Sequence, residues 1–238
     1  ENHSKEKCLA CHIPKSVTGE KPNPRFDRRD EGIYCVSCHF LNGKMNGPYD
    51  LVAPPHPTYR NPDYVRSSFC GSCHQKTYKE WKGTGVEDTC QNCHMPRKKN
   101  RLTDKFPLSL LHKKKWVGNH KFLHGDLTEK DIILEADFKG KLFYFNLLNK
   151  TVPHNVPSAD NGDPRLYLYV TFLNEAGDQV DQTKEILAPQ QDTALPFNKK
   201  VRFSYRLFGL VAQANIVLKY QPAWSKEKDL VWGKTIRP

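Results

Sequence analysis

Cysteine and histidine occur together four times in this sequence, each time as Cys-x-x-Cys-His. The four copies use all 8 cysteines: Cys8, Cys11 and His12; Cys35, Cys38 and His39; Cys70, Cys73 and His74; Cys90, Cys93 and His94. In such a motif the two sulfurs bond covalently to the vinyl groups of a haem, and the histidine ligates the haem iron. The sequence therefore predicts four haem c groups, with these cysteines as anchors and these histidines as proximal ligands.

Zinc sites, thiol redox motifs and disulfides also use closely spaced cysteines. None of them requires a histidine directly after the second cysteine. The chain has 10 histidines in 238 residues, so four such placements by chance have a probability on the order of 10⁻⁶. Haem attachment is the favoured interpretation, and zinc is the main alternative.

Each haem iron needs a second axial ligand, or it keeps an open position where chemistry could occur. Six histidines lie outside the motifs, whereas the chain has only 2 methionines, one of which directly follows His94 and would struggle to reach across that haem. The sequence therefore predicts four bis-histidine haems, which are closed to substrates. The expected distal ligands are His3, His56, His120 and His154, with His112 and His124 as further candidates.

Two of these histidines stand in stiff segments. His56 and His154 are both flanked by prolines, which hold an extended backbone and present the ring at little entropic cost. Four aromatic residues near the motifs are expected to pack against haem faces or propionates: Tyr34, Tyr64, Tyr78 and Trp81.

The elements that must position these residues fall into two parts. Residues 1–126 lack long apolar periodic segments, so the haems themselves must supply the core. Short helical turns are expected to carry the motifs, with one longer helix at Gln75–Trp81 and a basic connector over residues 100–126. This part is predicted to be a loop-rich, haem-packed domain with short helices.

Residues 127–238 contain no cysteine and alternate apolar and polar residues with period two. Ile132–Phe138 and Leu142–Leu148 flank a Lys-Gly-Lys turn, Arg165–Leu173 alternates clearly, and a weaker strand is predicted near Leu230–Ile236. Six or seven short strands predict a C-terminal antiparallel β-sandwich of immunoglobulin-like type. It contains no catalytic constellation, so its expected role is structural.

The formal net charge of +11 is at first sight typical of a nucleic-acid-binding protein. Haem propionates would reduce it to roughly +7 to +3, so no nucleic-acid partner is expected. Lys113–Lys115 is interpreted as a solvated charge cluster, with docking of an acidic partner as the alternative. No apolar run is long enough to span a bilayer.

Covalent haem attachment takes place outside the cytoplasmic membrane, and the chain begins without methionine. We therefore expect an exported, mature protein, extracellular or at the cell surface, with the periplasm as the alternative. Asn2-His-Ser4 and Asn149-Lys-Thr151 are formal glycosylation sequons, and the sequence does not decide whether they are modified.

Residues 32–96 resemble multihaem cytochromes of the cytochrome c554 and nitrite-reductase-related group. The resemblance lies in GIYCVSCH followed by GPYD and APPHP, and in FCGSCHQ, YKEW and TCQNCHMP. It implies that His56 is a distal ligand, and the later GNHKF and TVPHNVP segments imply the same for His120 and His154. A haem-rich N-terminal half followed by a β-sandwich is similar to the subunits of OmcE-type extracellular cytochrome filaments.

The chain departs from that group at two points. Arg28 and Arg29 stand where relatives often carry a histidine, so one haem lacks a local distal ligand. The lysine-for-histidine haem motif of the nitrite-reducing enzymes is absent, which counts against that catalysis.

We therefore predict an electron carrier and not an enzyme. Its haem chain is expected to continue between copies of the protein in a filament, and to exchange electrons with redox donor and acceptor proteins or extracellular acceptors. His3 is predicted to ligate a haem of a neighbouring copy, with a haem of its own chain as the equal alternative. A soluble electron shuttle and a reductase with one open haem are the competing functions.

Overall fold

The computed structural model describes residues 5–52, 57–103, 105–122 and 125–238. The chain divides into two compact units: Glu1–Tyr78 with Glu87–His124, and Lys79–Val86 with Gly125–Pro238. The predicted ligands His3 and His56, and the candidate His124, lie outside the described residues. Within the described ranges, no helix is both long and apolar enough to cross a membrane.

Short elements make up the first unit. Its helices are α1 (Lys5–His12), α2 (Cys35–His39), α3 (Ser67–Gly71), the first half of α4 (Gln75–Lys82), α5 (Cys90–His94) and α6 (Leu108–Leu111). Its strands are β1 (Phe40–Leu41), β2 (Lys44–Gly47), β3 (Thr58–Arg60), β4 (Arg97–Asn100) and β5 (Lys115–Gly118). β2 pairs antiparallel with β1 and parallel with β3. β4 and β5 form a separate antiparallel pair. β5 lies within the predicted connector over residues 100–126, and β4 ends where that connector begins.

Few apolar side chains are buried in this first unit. Of its described residues, only Ala10, Ile13 and Val17 are buried hydrophobic residues. Large apolar side chains are exposed instead, including Phe106 and Leu111, each 79% exposed. A polypeptide with so little core of its own needs another apolar body to pack against.

The second unit contains two antiparallel sheets, as its period-two pattern predicted. Its strands are β6 (Ile132–Lys139), β7 (Leu142–Asn149), β8 (Arg165–Leu173), β9 (Gln179–Leu187), β10 (Lys200–Arg206), β11 (Gln213–Gln221) and β12 (Asp229–Ile236). The strand orders are β10-β7-β6 and β12-β11-β8-β9. β9 therefore pairs with β8 and does not join the sheet of β6, β7 and β10, which departs from the constant-type immunoglobulin order.

Alternation along the strands builds the core between these two sheets. In β8, Leu166, Leu168, Val170 and Phe172 are at most 1% exposed, because every second residue of a strand faces the same side. The ring of Phe172 meets Phe143 of the other sheet edge-on, with centroids 5.3 Å apart. Between β6 and β7 the turn begins at Gly140, whose φ of +59° favours glycine.

Candidate haem-binding sites

Each Cys-x-x-Cys-His motif lies on one helical turn. The first motif forms the C-terminal part of α1, and the second and fourth motifs form the whole of α2 and α5. The third runs from α3 into α4, with the amide of His74 donating to the carbonyl of Cys70 at 3.0 Å. Residues i, i+3 and i+4 of a helix share a face, so the two sulfurs and the imidazole of a motif lie on the same side. None of the 8 cysteines, all of which the structure describes, is in a disulfide.

His39 of the second motif is held as a metal-ligating histidine should be. Its Nδ1 lies 2.8 Å from the backbone oxygen of Asn46, which can only accept a hydrogen bond. Nδ1 is therefore protonated, and Nε2 keeps its lone pair for a metal. Burial lowers the pKa of His39, and the nearby His120 lowers it further, so the ring is neutral at pH 7.

The structure brings His39 together with His120, one of the predicted distal ligands. The two ring centroids are 5.9 Å apart, and the rings are inclined by 49°. Two imidazoles that ligate one iron from opposite sides should have centroids about 6 Å apart, from two nitrogen–metal bonds of about 2 Å and about 1 Å within each ring. The observed separation fits one iron between the two rings.

Tyr64 also contacts the ring of His39. Its ring stacks on the imidazole with centroids 5.2 Å apart and planes 15° apart, and its hydroxyl donates to the carbonyl of Cys38. Burial raises the pKa of Tyr64 to about 12, so the hydroxyl stays protonated and remains a donor. Of the four aromatic residues singled out by the sequence, Tyr64 therefore stacks on a predicted proximal ligand.

The other three aromatic residues singled out by the sequence have different neighbours. The Arg25 guanidinium lies over the ring of Tyr34, 4.2 Å from its centroid. Tyr78 packs so closely on Gly71 that a Cβ at that glycine would lie 2.7 Å from the tyrosine Cγ. Trp81 belongs to the second unit.

The third and fourth motifs are tied directly to each other. The amide of Cys90 donates to Ser67 Oγ at 3.1 Å, and Gln91 Nε2 donates to the carbonyl of Arg66 at 2.7 Å. The thiols of Cys70 and Cys90 share a hydrogen bond, which raises the pKa of Cys70 and lowers that of Cys90 to about 6. The first anchoring sulfurs of two different motifs are therefore neighbours.

His154 lies in the second unit, in the loop between β7 and β8. Its Nδ1 is 2.8 Å from the backbone oxygen of Asn155, which leaves Nε2 as the metal-binding nitrogen. The side chain of Asn149, which is 0% exposed, holds the loop from inside. Its Nδ2 donates to the carbonyls of Val152 at 2.9 Å and His154 at 2.7 Å.

This burial also bears on the sequon Asn149-Lys-Thr151. A glycan on Nδ2 would have to displace both hydrogen bonds and enter the protein interior. The folded unit therefore leaves no room for glycosylation at Asn149, and the sequon pattern there reflects a structural asparagine.

We expect Asn149→Ala to lower the free energy of unfolding by about 2–4 kcal/mol, because two loop carbonyls lose a buried donor. Urea denaturation of the full chain measures this change. Asn161→Ala is the control, since Asn161 is exposed and its side chain makes no hydrogen bond to the described residues. Equal stability of the two variants would contradict the role assigned to Asn149.

Glu80, on the second half of α4, accepts hydrogen bonds from the same loop. Its Oε2 accepts hydrogen bonds from the amide of Asn155 at 3.3 Å and from Ser158 Oγ at 2.7 Å. Its Oε1 is buried and has no hydrogen-bond partner among the described residues. No local pattern predicts this contact, because Glu80 lies 74 positions before His154 in a helix whose sequence is mostly polar.

We expect Glu80→Ala to release the loop and to broaden the spectroscopic signals of the haem that His154 is predicted to ligate. Glu80→Gln should preserve them, because the amide oxygen of glutamine still accepts both hydrogen bonds. Electron paramagnetic resonance of the two variants, both loaded with haem, makes the comparison. Identical signals in Glu80→Ala and the parent protein would show that the loop does not depend on this carboxylate.

Two further histidines singled out by the sequence, His12 and His112, have no imidazole neighbour among the described residues. His12 ends α1 and His112 follows α6. His94 ends α5. Over the same described residues, no three His, Cys, Asp or Glu side chains converge in a metal-binding cluster.

Comparison with known proteins adds a structural relationship. No family model matches the sequence, and no curated protein matches it. The crystal structure of a penta-haem cytochrome c552 from Thermochromatium tepidum is similar, with a TM-score of 0.58 over 97% of this chain and 76% of that chain, at 16% sequence identity. The chain shares its fold with a multihaem cytochrome. The similarity covers both units and not the sandwich alone.

Proposed function

We propose that this protein is a multihaem c-type cytochrome that carries electrons through four covalently attached haems. The observation that carries the proposal is the His39–His120 pair, at the 5.9 Å separation that two axial imidazoles of one iron require. The small apolar core of the first unit supports it, since haem rings would supply the missing apolar surface. The fold shared with a penta-haem cytochrome supports the same class.

The roles of the residues follow from the motifs. Eight cysteines anchor the haems, His12, His39, His74 and His94 are the proximal ligands, and His3, His56, His120 and His154 are the distal ligands. The bound haems would supply reversible one-electron iron couples. With an imidazole on each side, an iron offers no position for a substrate, which favours an electron carrier over a reductase with an open haem.

The residues around His39 prepare it for this role. Asn46 fixes the tautomer and raises the basicity of the ring through its Nδ1 hydrogen bond, as an outer-shell partner does. Tyr64 fixes the ring plane by stacking. Cys70 and Cys90 interact with each other, and these two residues would help to anchor the haems of the third and fourth motifs, which would supply one-electron iron couples.

Export and assembly complete the proposal. We infer an extracellular or cell-surface location, because covalent haem attachment requires export. We also infer a filament in which His3 of one copy ligates a haem of the next copy. These inferences rest on the sequence pattern and on its resemblance to filament subunits.

The cofactor proposal is tested on protein produced in a host that attaches haem c. The mass of the intact chain should exceed that of the polypeptide by four haems, and the oxidised protein should give only low-spin ferric signals. A stoichiometric high-spin signal would favour the reductase with an open haem. A mass without haem would overturn the proposal.

The filament is tested separately, by electron microscopy of the purified protein. Filaments of the parent protein that disappear in His3→Ala, with one haem becoming high-spin, would support ligation between copies. Normal filaments from His3→Ala would exclude it. Monomers of the parent protein would identify a soluble shuttle.

A further inference from the structure

Positive charge is concentrated in one short segment of the first unit. Between Arg97 and Lys121 the sequence has nine Lys or Arg residues and one Asp, a net charge of +8 in a chain of +11. Most of the chain is therefore close to neutral outside this segment. Such a concentration creates a strong local field that acts on approaching anions.

The structure folds this segment into a hairpin, β4 and β5, with register from Arg97 opposite Gly118 to Asn100 opposite Lys115. We call β4, β5 and the described residues between them, 101–103 and 105–114, the basic hairpin. Its base is closed by the amide of Asn119, which donates to the carbonyl of Pro96 at 3.2 Å. The sequence indicated only a connector here, because two four-residue strands separated by 14 residues give no clear turn signal.

Both ends of the basic hairpin lead directly into predicted haem ligands. His94 ends α5 just before β4 begins, and His120 follows β5 by two residues. Because the strands are antiparallel, both ligands lie at the base of the hairpin. Four residues of strand span about 13 Å, whereas the Debye length is about 8 Å at physiological salt and about 30 Å at 0.01 M. At low salt, charges along the hairpin therefore act on anything that approaches the haems proposed for these two histidines.

The cations of the basic hairpin are exposed and face solvent. All four residues of β4 are exposed, as are Lys113, Lys114 and Lys115. Some rest on aromatic rings: Lys99 Nζ lies 5.4 Å from the ring centroid of Trp116, whose side chain is 52% exposed. None of these lysines and arginines forms an ion pair with a carboxylate among the described residues.

We propose that the basic hairpin is the docking surface for an acidic, one-electron redox protein. The inference rests on the proposed function, since it assigns the hairpin to haems that the chain is proposed to carry. One electron passes from the reduced centre of the acidic partner to a ferric haem, which becomes ferrous, and no bond is made or broken. Complementary charge speeds such an encounter and orients the partner over the haem ligands.

The test uses a reduced, acidic flavodoxin as the electron donor and the fully haem-loaded protein as the acceptor. The rate of haem reduction, followed by stopped-flow absorbance, should fall as salt is added, because screening weakens the steering. The triple variant Lys98→Glu, Lys113→Glu, Lys114→Glu should react about tenfold or more slowly at low salt. These three lysines are chosen because none of them is stacked on an aromatic ring.

A matched control reverses three exposed lysines of the second unit: Lys141→Glu, Lys199→Glu and Lys226→Glu. It carries the same change in net charge, so a rate within about twofold of the parent would show that location and not total charge matters. Equal rates in the two triple variants would overturn the proposal. So would a changed haem potential with an unchanged rate, because the lysines would then be neutralising haem propionates.

Two further measurements distinguish failure of the docking proposal from failure of the proposed function. Haem content is determined first, and a chain without haem would refute the proposed function. Calorimetric binding of the same flavodoxin still tests the hairpin in that case, with loss of binding expected in the hairpin triple variant alone. Binding of phosphatidylserine vesicles without binding of flavodoxin would make the hairpin a membrane contact and would refute docking of a protein.

Discussion

Replacing His120 with alanine is expected to convert one haem of the loaded protein from low spin to high spin and to leave the others unchanged. The ring centroid of His120 lies 5.9 Å from that of His39. Because His120 is the proposed distal ligand of the second motif, its removal should leave that iron with only its proximal ligand. Electron paramagnetic resonance of the oxidised protein would show the new signal at one haem per chain. Added imidazole should restore the low-spin signal by filling the vacated position.

Two companion variants sharpen this experiment. His112→Ala removes the same side chain from the same region and should leave the spectrum unchanged, since no second imidazole lies beside His112 in the described part of the chain. His120→Met should keep the haem low-spin and raise its reduction potential, because a thioether ligand favours ferrous iron. An unchanged spectrum in His120→Ala would show that another residue completes this haem.

The sequence predicted the second unit well because its signal is periodic. Residues 166–172 alternate in type, and the structure buries Leu166, Leu168, Val170 and Phe172, together with Tyr167 on the other face. The turn between β6 and β7 was identifiable from glycine between lysines. The pairing of β11 with β8 was not predictable, because alternation specifies which face of a strand is buried and not which strand lies beside it.

In the first unit the sequence predicted chemistry better than structure. The spacing of cysteine and histidine indicates haem attachment wherever the motif lies. It does not indicate that His120 meets His39, 81 positions earlier in the chain, or that Glu80 holds the loop of His154. Such contacts depend on tertiary folding, and no local sequence pattern predicts them.

Arg25 is the residue of the first unit that sequence reasoning missed most clearly. Arginines are usually exposed, yet Arg25 is only 4% exposed. Nη1 donates to the carbonyl of Pro14 at 3.2 Å and to Ser37 Oγ at 3.1 Å. Nη2 donates to the carbonyls of Arg28 at 3.0 Å and Gly32 at 2.7 Å.

These bonds fasten two haem motifs to one guanidinium. Pro14 follows the first motif by two residues, and Ser37 lies between the cysteines of the second. With few buried apolar side chains nearby, the guanidinium supplies cohesion that a hydrophobic core would normally supply. A planar fork with five N–H groups can reach all these acceptors, whereas the ammonium group of lysine has three donors on a single nitrogen.

Arg25→Ala is therefore expected to lower the free energy of unfolding by about 3 kcal/mol or more, because hydrogen bonds to a charged donor are each worth about 1.5–3 kcal/mol and part of that is regained from water. Arg25→Lys should recover less than half of the loss. Urea denaturation, followed by tryptophan fluorescence and by haem absorbance, measures both variants. Haem absorbance should show the earlier transition, since the lost bonds lie at the first and second motifs.

The control is Arg28→Ala, a neighbouring arginine whose side chain is 61% exposed and paired with Glu31 at the surface. Exposed pairs contribute little to stability, so its unfolding midpoint should match that of the parent protein. If Arg25→Ala also matched the parent, the haems alone would hold the first and second motifs together. The buried guanidinium would then be tolerated by the fold and would not stabilise it.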